Sequence, residues 1–487
     1  MMRSLYSGVS GLKVHQTKMD VIGHNSSNVN TIGFKSGQVN FSDILYQTTA
    51  NASGPNAQSN TAGTNARQIG LGASVASITN TVTVSGGTQR TDNALDLMIE
   101  GDQLFIVNNG VQNYFTKAGA FTVDAAGVLC NNSGCKVMGW QVDPNDESKC
   151  IQDTVTELRV RSPETSFVEP EATTDVYFTG NIDYKDTQLS TKTGKTTTIS
   201  FYDNLGQNYM ALLKVTGGDD TSDGIFDVNV TDILDSEGKS IFLTYNQETK
   251  IYDPSDFKSF TFGGVTYNFD ESKYDKTTGK LNEDAVTPAS GTGVKLSFDP
   301  ADGKFVSVGE DPNEKNTVAF DLTNGSDDSK YHSIKCDFST MTMYASSGSS
   351  AISSQRGDLN GRGTGKPKGS MTGISVDTSG RIYGAYDNGD KKLLCQIAVA
   401  RFANPAGLEA VGNSLFIDTM NSEKFDGIGE DITAHGGKMT AGVLEMSNVD
   451  LSTEFTSIIT TQRGFQANSR VITTSDTMLE ELINLKR

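Results

Sequence analysis

The chain has 487 residues and a formal net charge of −19, with 36% hydrophobic and 20% charged residues. That length allows several domains, and the acid excess argues against nucleic acid, whose phosphates it would repel. No run approaches the roughly 18 apolar residues of a membrane-spanning helix, so none is expected.

Residues 4–29 are Pro-free and helix-patterned: Leu5, Leu12 and Met19 recur every seven residues, with Val9 and Ile22 on the flanks. Gly8, Gly11 and Gly23 each weaken such a helix by about 1 kcal/mol relative to Ala, but let a neighbouring helix come close. Residues 1–35 are basic, with Arg3, Lys13, Lys18 and Lys35 against Asp20 alone. They lack the apolar run and small-residue cleavage site of a secretory signal, so no cleaved signal peptide is expected. Asn25–Lys35, with Asn25, Asn28, Asn30, Gly33 and Phe34, reads as a helix stop followed by a turn.

Residues 36–48 read as extended or mixed. Residues 49–68 are poor in large apolar side chains and read as a flexible loop, one that neighbours in an assembly would order. Residues 70–140 alternate apolar and polar; Leu104–Val107, Tyr114–Phe115, Ala120–Val123 and Lys136–Trp140 are predicted strands, with turns at Asn109-Gly110 and Ala126-Gly127. Residues 155–365 hold many short β-type runs, among them Thr197–Tyr202, Met210–Val215, Phe260–Phe269 and Val294–Phe298. Strands return at Gly373–Val376, Ile382–Tyr386, Gln396–Phe402 and Ser414–Ile417. Acid clusters at Asp219, Asp220 and Asp223, at Asp327 and Asp328, and over 423–431 suit a solvated exterior.

Residues 450–486 form the second helical segment. Heptad steps from Leu451 give Leu451, Phe455, Ile458, Gln462, Phe465, Ser469, Ile472, Asp476, Leu479, Ile483 and Lys486, of which seven of eleven are apolar. Ser447 or Asn448 is the predicted N-cap, with Asp450 placed to meet the helix dipole. Seven buried apolar side chains do not offset the backbone entropy of such a long arm, so both arms are expected to be disordered in the free monomer and to order only against neighbours. An ordinary amphipathic helix lying on a core is the competing interpretation for a single such segment.

Chemistry-bearing motifs are weak. Gly194-Lys-Thr196 has Leu189 where a phosphate loop needs its first glycine; Gly70-Leu-Gly72 has Val75 where a dinucleotide loop needs its third; Gly361–Lys366 runs into Pro367. His15, His24, His332 and His435 have no metal-ligand spacing, and no Gly-x-Ser-x-Gly occurs. No catalytic, cofactor or metal residues are assigned, and the chain is not expected to be an enzyme. Five cysteines (Cys130, Cys135, Cys150, Cys336, Cys395) cannot all pair within one chain. Free thiols, a Cys130–Cys135 disulfide and half a metal site stand as readings, in that order.

The expected class is mainly β with N- and C-terminal α-helices, a multidomain subunit. Four motifs in order resemble the rod–hook family of bacterial flagellar axial proteins. They are Ser7–Leu12 with Asn25–Lys35, Leu95–Phe105 with Tyr114–Phe121, Gly380–Gly389 with Phe402–Leu408, and Ser447–Leu451 leading to Gln462–Arg470. The departures are small: His24 stands where the family commonly has Asn, and Ser26-Ser27 where it has Ile-Ala. The match covers roughly residues 1–145 and 370–487. The long insertion, with Ser200–Gly206, points to the hook branch rather than the distal rod branch.

The resemblance implies a division into a core helix (1–32), a connecting segment (33–70), a shared β domain in two parts (71–154 and 369–445), inserted outer β structure (155–368) and a second core helix (446–487). It implies head-to-tail assembly into a bendable helical tube that passes torque from rod to filament, with the helices paired as a coiled-coil-like inner core and the β domains outside. Leu5, Leu12, Met19 and Ile22 are then expected to meet Leu451, Phe455, Ile458, Phe465, Ile472, Leu479 and Ile483 in the assembled tube, as its self-assembly core. The implied partners are further copies of the chain, the distal rod protein, the hook cap, the hook–filament junction protein and the flagellar type III export apparatus, with no nucleic acid and no small-molecule substrate. The implied location is the hook on the cell surface.

Overall fold

The computed structural model describes residues 2–55, 62–143, 146–217, 223–309, 315–322 and 330–485. Asp219, Asp220, Asp327, Asp328 and Lys486 therefore lie outside the described residues, as does part of the 49–68 stretch. The chain divides into two compact units, one of residues 1–166, 372–385 and 391–487, the other of residues 167–371 and 386–390.

The first unit opens with helix α1 (Met2–Ser27) and closes with helix α2 (Leu451–Asn484). The cap of α2 is Asp450 itself, whose carboxylate accepts from Ser452 N at 2.9 Å and Thr453 Oγ1 at 2.8 Å. This corrects the choice of Ser447 or Asn448: an acid at the N-cap satisfies free backbone donors and meets the positive end of the helix. After α1, Gly37–Asp43 pairs antiparallel with Ala73–Asn80, with a bulge at Asn40/Phe41. Tyr46–Ala50 pairs with Arg67–Gly70 in a ribbon whose residues are all exposed. The stretch read as a flexible loop is thus entered and left through strands, which alternating Thr, Gln and Ile at its ends permit.

The main sheet of this unit runs antiparallel in the order Arg381–Tyr386, Lys391–Ile397, Lys136–Asp143, Leu104–Asn108, Asn113–Thr116, Leu415–Ile417, Glu409–Gly412. Segments on both sides of the insertion therefore share one sheet, Trp140 standing opposite Gln396 and Val137 opposite Val107. Leu104, Phe105, Ile106 and Val107 are all buried, which is why that strand is a continuous apolar run rather than an alternating one. Trp140 packs in the core with Phe115, Phe402 and Phe416, and its indole donates to Asp153 O at 2.9 Å. Residues 155–166 also belong here, because Val155, Leu158 and Val160 are buried and Thr156–Glu157 pairs with Met138–Gly139.

The second unit has two sheets. The seven-stranded one runs Val286–Pro288, Val265–Phe269, Ser259–Phe262, Thr317–Asp321, Ile334–Thr342, Asp175–Asn181, Ala351–Arg356; its one parallel pair is Asp175–Asn181 with Ile334–Thr342. The five-stranded one runs Lys195–Tyr202, Asn208–Gly217, Ile225–Leu234, Val294–Phe298, Phe305–Val308. Alternate residues such as Tyr209, Ala211, Leu213 and Val215 point inward. A single apolar core holds Phe178 stacked on Phe338 at 4.2 Å and Phe260 on Tyr267 at 5.1 Å. The run Phe260–Phe269, read as one strand, is two strands turning at Gly263-Gly264, both with positive φ.

Hairpins in both units share one device. At Asp203-Asn-Leu-Gly206-Gln207 the aspartate accepts from Leu205 N at 3.0 Å and Gln207 N at 2.7 Å, and Gly206 takes φ +77°. Asp124, Asp235, Asp358 and Asp377 do the same, each with a glycine three residues on. All five cysteines are unpaired, Cys135, Cys336 and Cys395 being buried. Burial pushes the Cys336 and Cys395 thiols well above the ordinary range.

Candidate assembly interface

The two helices pack antiparallel in a constant register. Ser4 Oγ lies 3.2 Å from Ser475 Oγ, and Asn25 Nδ2 donates to Glu454 Oε1 at 2.9 Å. Between these ends, a Cβ on Gly8 would meet Ile472 at 3.0 Å, one on Gly11 the Asn468 side chain at 2.7 Å, and one on Gly464 the His15 ring at 2.6 Å. Thr461 and Ser475 are the fully buried residues of α2. Small residues thus set this seam: glycines on both helices bring the backbones close, as read from sequence for Gly8 and Gly11 but not for Gly23, where an added Cβ would meet nothing within 4 Å.

Within the single chain, most of the apolar residues expected to meet in the tube lie off this seam. Ile472 is half-buried against Gly8 of α1 and Ile458 and Leu479 are half-buried, whereas Leu451, Phe455, Phe465 and Ile483 are exposed, Phe455 by 56% and Ile483 by 66%. The heptad spacing is present, but most seam positions fall one residue from the predicted ones, at Ser457, Thr461, Gly464, Asn468 and Ser475. On α1, Ile22 is buried and Leu5, Leu12 and Met19 are half-buried. Apart from Phe465 and Ile483, the exposed apolar residues at this end of the chain gather in two patches, Leu451, Phe455 and Ile459 near the start of α2 and Val471, Met478, Leu482 and Leu485 near its end. Each set follows helical spacing, so each lies on one face.

The other side of α1 rests on the Gly37–Asp43/Ala73–Asn80 pair. Ser10 Oγ accepts from Ala73 N at 3.3 Å, Phe41 meets the His15 ring edge-on at 6.1 Å, and Lys18 Nζ stands 5.7 Å from the Phe41 centroid. Burial is the main cause lowering the His15 pKa, with Lys18 adding to it.

The turn after α1 joins both helices to the β structure. Asn25 is buried; its amide also donates to Gly37 O and its carbonyl accepts from Gly37 N, both at 2.9 Å. Asn28 Nδ2 donates to His24 O at 3.0 Å and its Oδ1 accepts from Thr31 Oγ1 at 3.0 Å. Gly33 takes φ +65°, and a Cβ there would lie 2.5 Å from Ala118 N, so this is where the chain needs a glycine. Phe34 is half-buried against His24, ring centroids 5.4 Å apart, and Asn30 is exposed.

Sequence reasoning missed the polar lock beside this turn. Lys35 Nζ lies 2.8 Å from Glu445 Oε1 with both side chains shut off from solvent, and donates to Val84 O at 2.7 Å. Gly86 N donates to Glu445 Oε1 at 3.0 Å, while Glu445 Oε2 has no hydrogen-bond partner among the described residues. Asn448 accepts from Ser36 N at 2.7 Å and donates to Thr81 Oγ1 at 2.9 Å. The fully buried Lys117 donates to Gly101 O at 2.6 Å. Burial pulls its pKa down to about 8, opposed by the Glu445 charge and reinforced by Lys35. Lys35 was read as the end of a turn and as one of the N-terminal bases, not as half of an ion pair; its partner is 410 residues away.

Among the described residues no group of His, Cys, Asp and Glu is arranged to hold a metal ion. No described helix is long and apolar enough to cross a membrane. What the site offers is a close-packed helix pair, a polar lock at its base, and exposed apolar patches along α2.

Comparisons with known proteins match these same ends. The model "Flagella basal body rod protein" matches residues 5–35, and "Flagellar basal body rod FlgEFG protein C-terminal" matches residues 440–485. Both ends therefore place the chain in the rod–hook class of flagellar proteins. The flagellar hook protein FlgE of Treponema pallidum is 34% identical and that of Borreliella burgdorferi 35% identical, each over 100% of both chains. The flagellar basal-body rod protein FlgG of Bacillus subtilis is 26% identical over 100% of both chains. The chain belongs to the flagellar hook protein family.

Proposed function

We infer that the protein is the structural subunit of a flagellar hook. It assembles head-to-tail into a bendable helical tube that carries torque from rod to filament in swimming cells. The single observation that carries this reading is the end-to-end likeness to hook proteins at about a third identity, insertion included. The exposed apolar patches of α2 support it, since a long helix with bare Phe, Ile and Leu needs a neighbour. A contact between unlike surfaces that does not close into a ring generates an open helix. The likeness to the rod protein is weaker, which favours hook over rod.

The role is structural rather than catalytic. The first and last copies in such a tube meet the distal rod protein, the hook cap and the hook–filament junction protein. Delivery runs through the flagellar type III export apparatus with the N-terminus kept, which places the protein at the cell surface. Electron microscopy of a deletion strain tests the assignment. Basal bodies that end at the rod, with neither hook nor filament, are expected; intact hooks would overturn it.

A further inference from the structure

The register of the helix pair leaves α2 longer than its partner. Ser4 stands opposite Ser475 and Gly8 opposite Ile472, so the register brings Met2 opposite Thr477. Residues 478–485 run past Met2, the first described residue of α1. Met478, Leu482 and Leu485 lie there on one face, 51%, 48% and 83% exposed, with Glu481 one turn from both Met478 and Leu485.

Elsewhere in the same unit the described residues leave an apolar groove open. It lies between the N-terminal half of α1 and the strand pair beneath it, encloses about 600 Å³, and is lined by Tyr6, Val9, Ile44, Leu71 and Val75, with Lys13 among them. Tyr6, Val9 and Val75 are exposed. Residues 1–35 are basic, while residues 476–485 carry Asp476, Glu480 and Glu481 and no base, ahead of Lys486 and Arg487.

We propose that the overhanging end of α2 from one copy docks in this groove of a second copy, Met478, Leu482 and Leu485 against its apolar lining and Glu481 beside Lys13. The proposal rests on the self-assembly reading and names its contact. The two surfaces are unlike and lie on different parts of one unit, so each copy offers one and receives the other, and the contact propagates. The apolar faces supply the burial and the opposite charges fix the register, because like charges at this point repel.

Polymerisation of the purified full-length chain, followed by light scattering and sedimentation, tests this with Lys13→Glu, Glu481→Lys and the two together. Lys13 and Glu481 are both exposed, and unchanged far-UV circular dichroism checks each fold. Each single reversal is expected to raise the critical concentration by roughly tenfold or more. The double reversal is expected to return it most of the way to the wild-type value. Singles that polymerise like wild type, or a double no better than the singles, would overturn the proposed contact alone. A wild-type chain that forms no polymer under any condition would overturn the self-assembly reading with it.

Discussion

Lys35 and Glu445 form the most demanding contact in the first unit. Two charges held out of water are tolerated only while each satisfies the other. Replacing Glu445 by Gln leaves a lysine charge buried beside Lys117, and is expected to destabilise the unit by about 3–5 kcal/mol in urea denaturation. Replacing both Lys35 and Glu445 by Met should recover most of that loss, since an apolar pair removes the orphaned charge. Lys117 adds a pH dependence whose sign follows from its depressed pKa. Above about pH 8 the folded chain has shed a proton that the unfolded chain keeps until about pH 10, so stability from this group rises with pH across that window. Denaturation midpoints measured at both ends should show a rise of about 2 kcal/mol in wild type that Lys117→Met lacks. The sequence made Asn25 and Gly33 visible, because Asn and Gly at a helix end have local meanings. It hid the Lys35–Glu445 pair, because nothing local marks a lysine whose partner is 410 residues away.

The elements themselves were legible where periodicity is strong. The helices fall within two residues of the predicted spans at each end, and Leu104–Asn108, Lys136–Asp143 and Val294–Phe298 match predicted strands closely. What periodicity could not show was which face of α2 meets α1. Apolar residues at heptad spacing mark a face that wants cover, and the seam within one chain is instead the small-residue face beside it. Both arms are helical in the single chain rather than disordered as expected, because α2 and the Gly37–Asp43/Ala73–Asn80 pair each give α1 a surface that an isolated arm lacks. The glycines separate the two effects. Nothing lies within 4 Å of a Cβ placed on Gly23, so Gly23→Ala should stabilise α1 by up to about 1 kcal/mol. Gly464→Ala gains the same propensity but drives a methyl into His15, which Phe41 and α2 hold in place. Far-UV melting should place Gly23→Ala above wild type and Gly464→Ala below it.

For the molecule as a whole, the insertion is a unit with its own core. Its two ends are adjacent, Phe167 pairing with Ser370 and Val168 with Gly369, which is the geometry that lets a domain be inserted without disturbing its host. A fragment of residues 167–371 is therefore expected to unfold cooperatively, with a melting temperature within a few degrees of that unit in the full chain. A fragment that shows no near-UV signal would contradict this. Residues 155–166 were read with the insertion because short β-type runs look alike on either side of a boundary; Val155, Leu158 and Val160 are buried within the first unit. The central claim is that the apolar residues α2 leaves exposed are the ones that build the hook. Electron microscopy of cells whose only copy carries Phe465→Asp tests it most directly, with near-UV circular dichroism of the purified variant confirming that the β structure is kept. The account predicts basal bodies bearing no hook; hooks of normal length and number would contradict it.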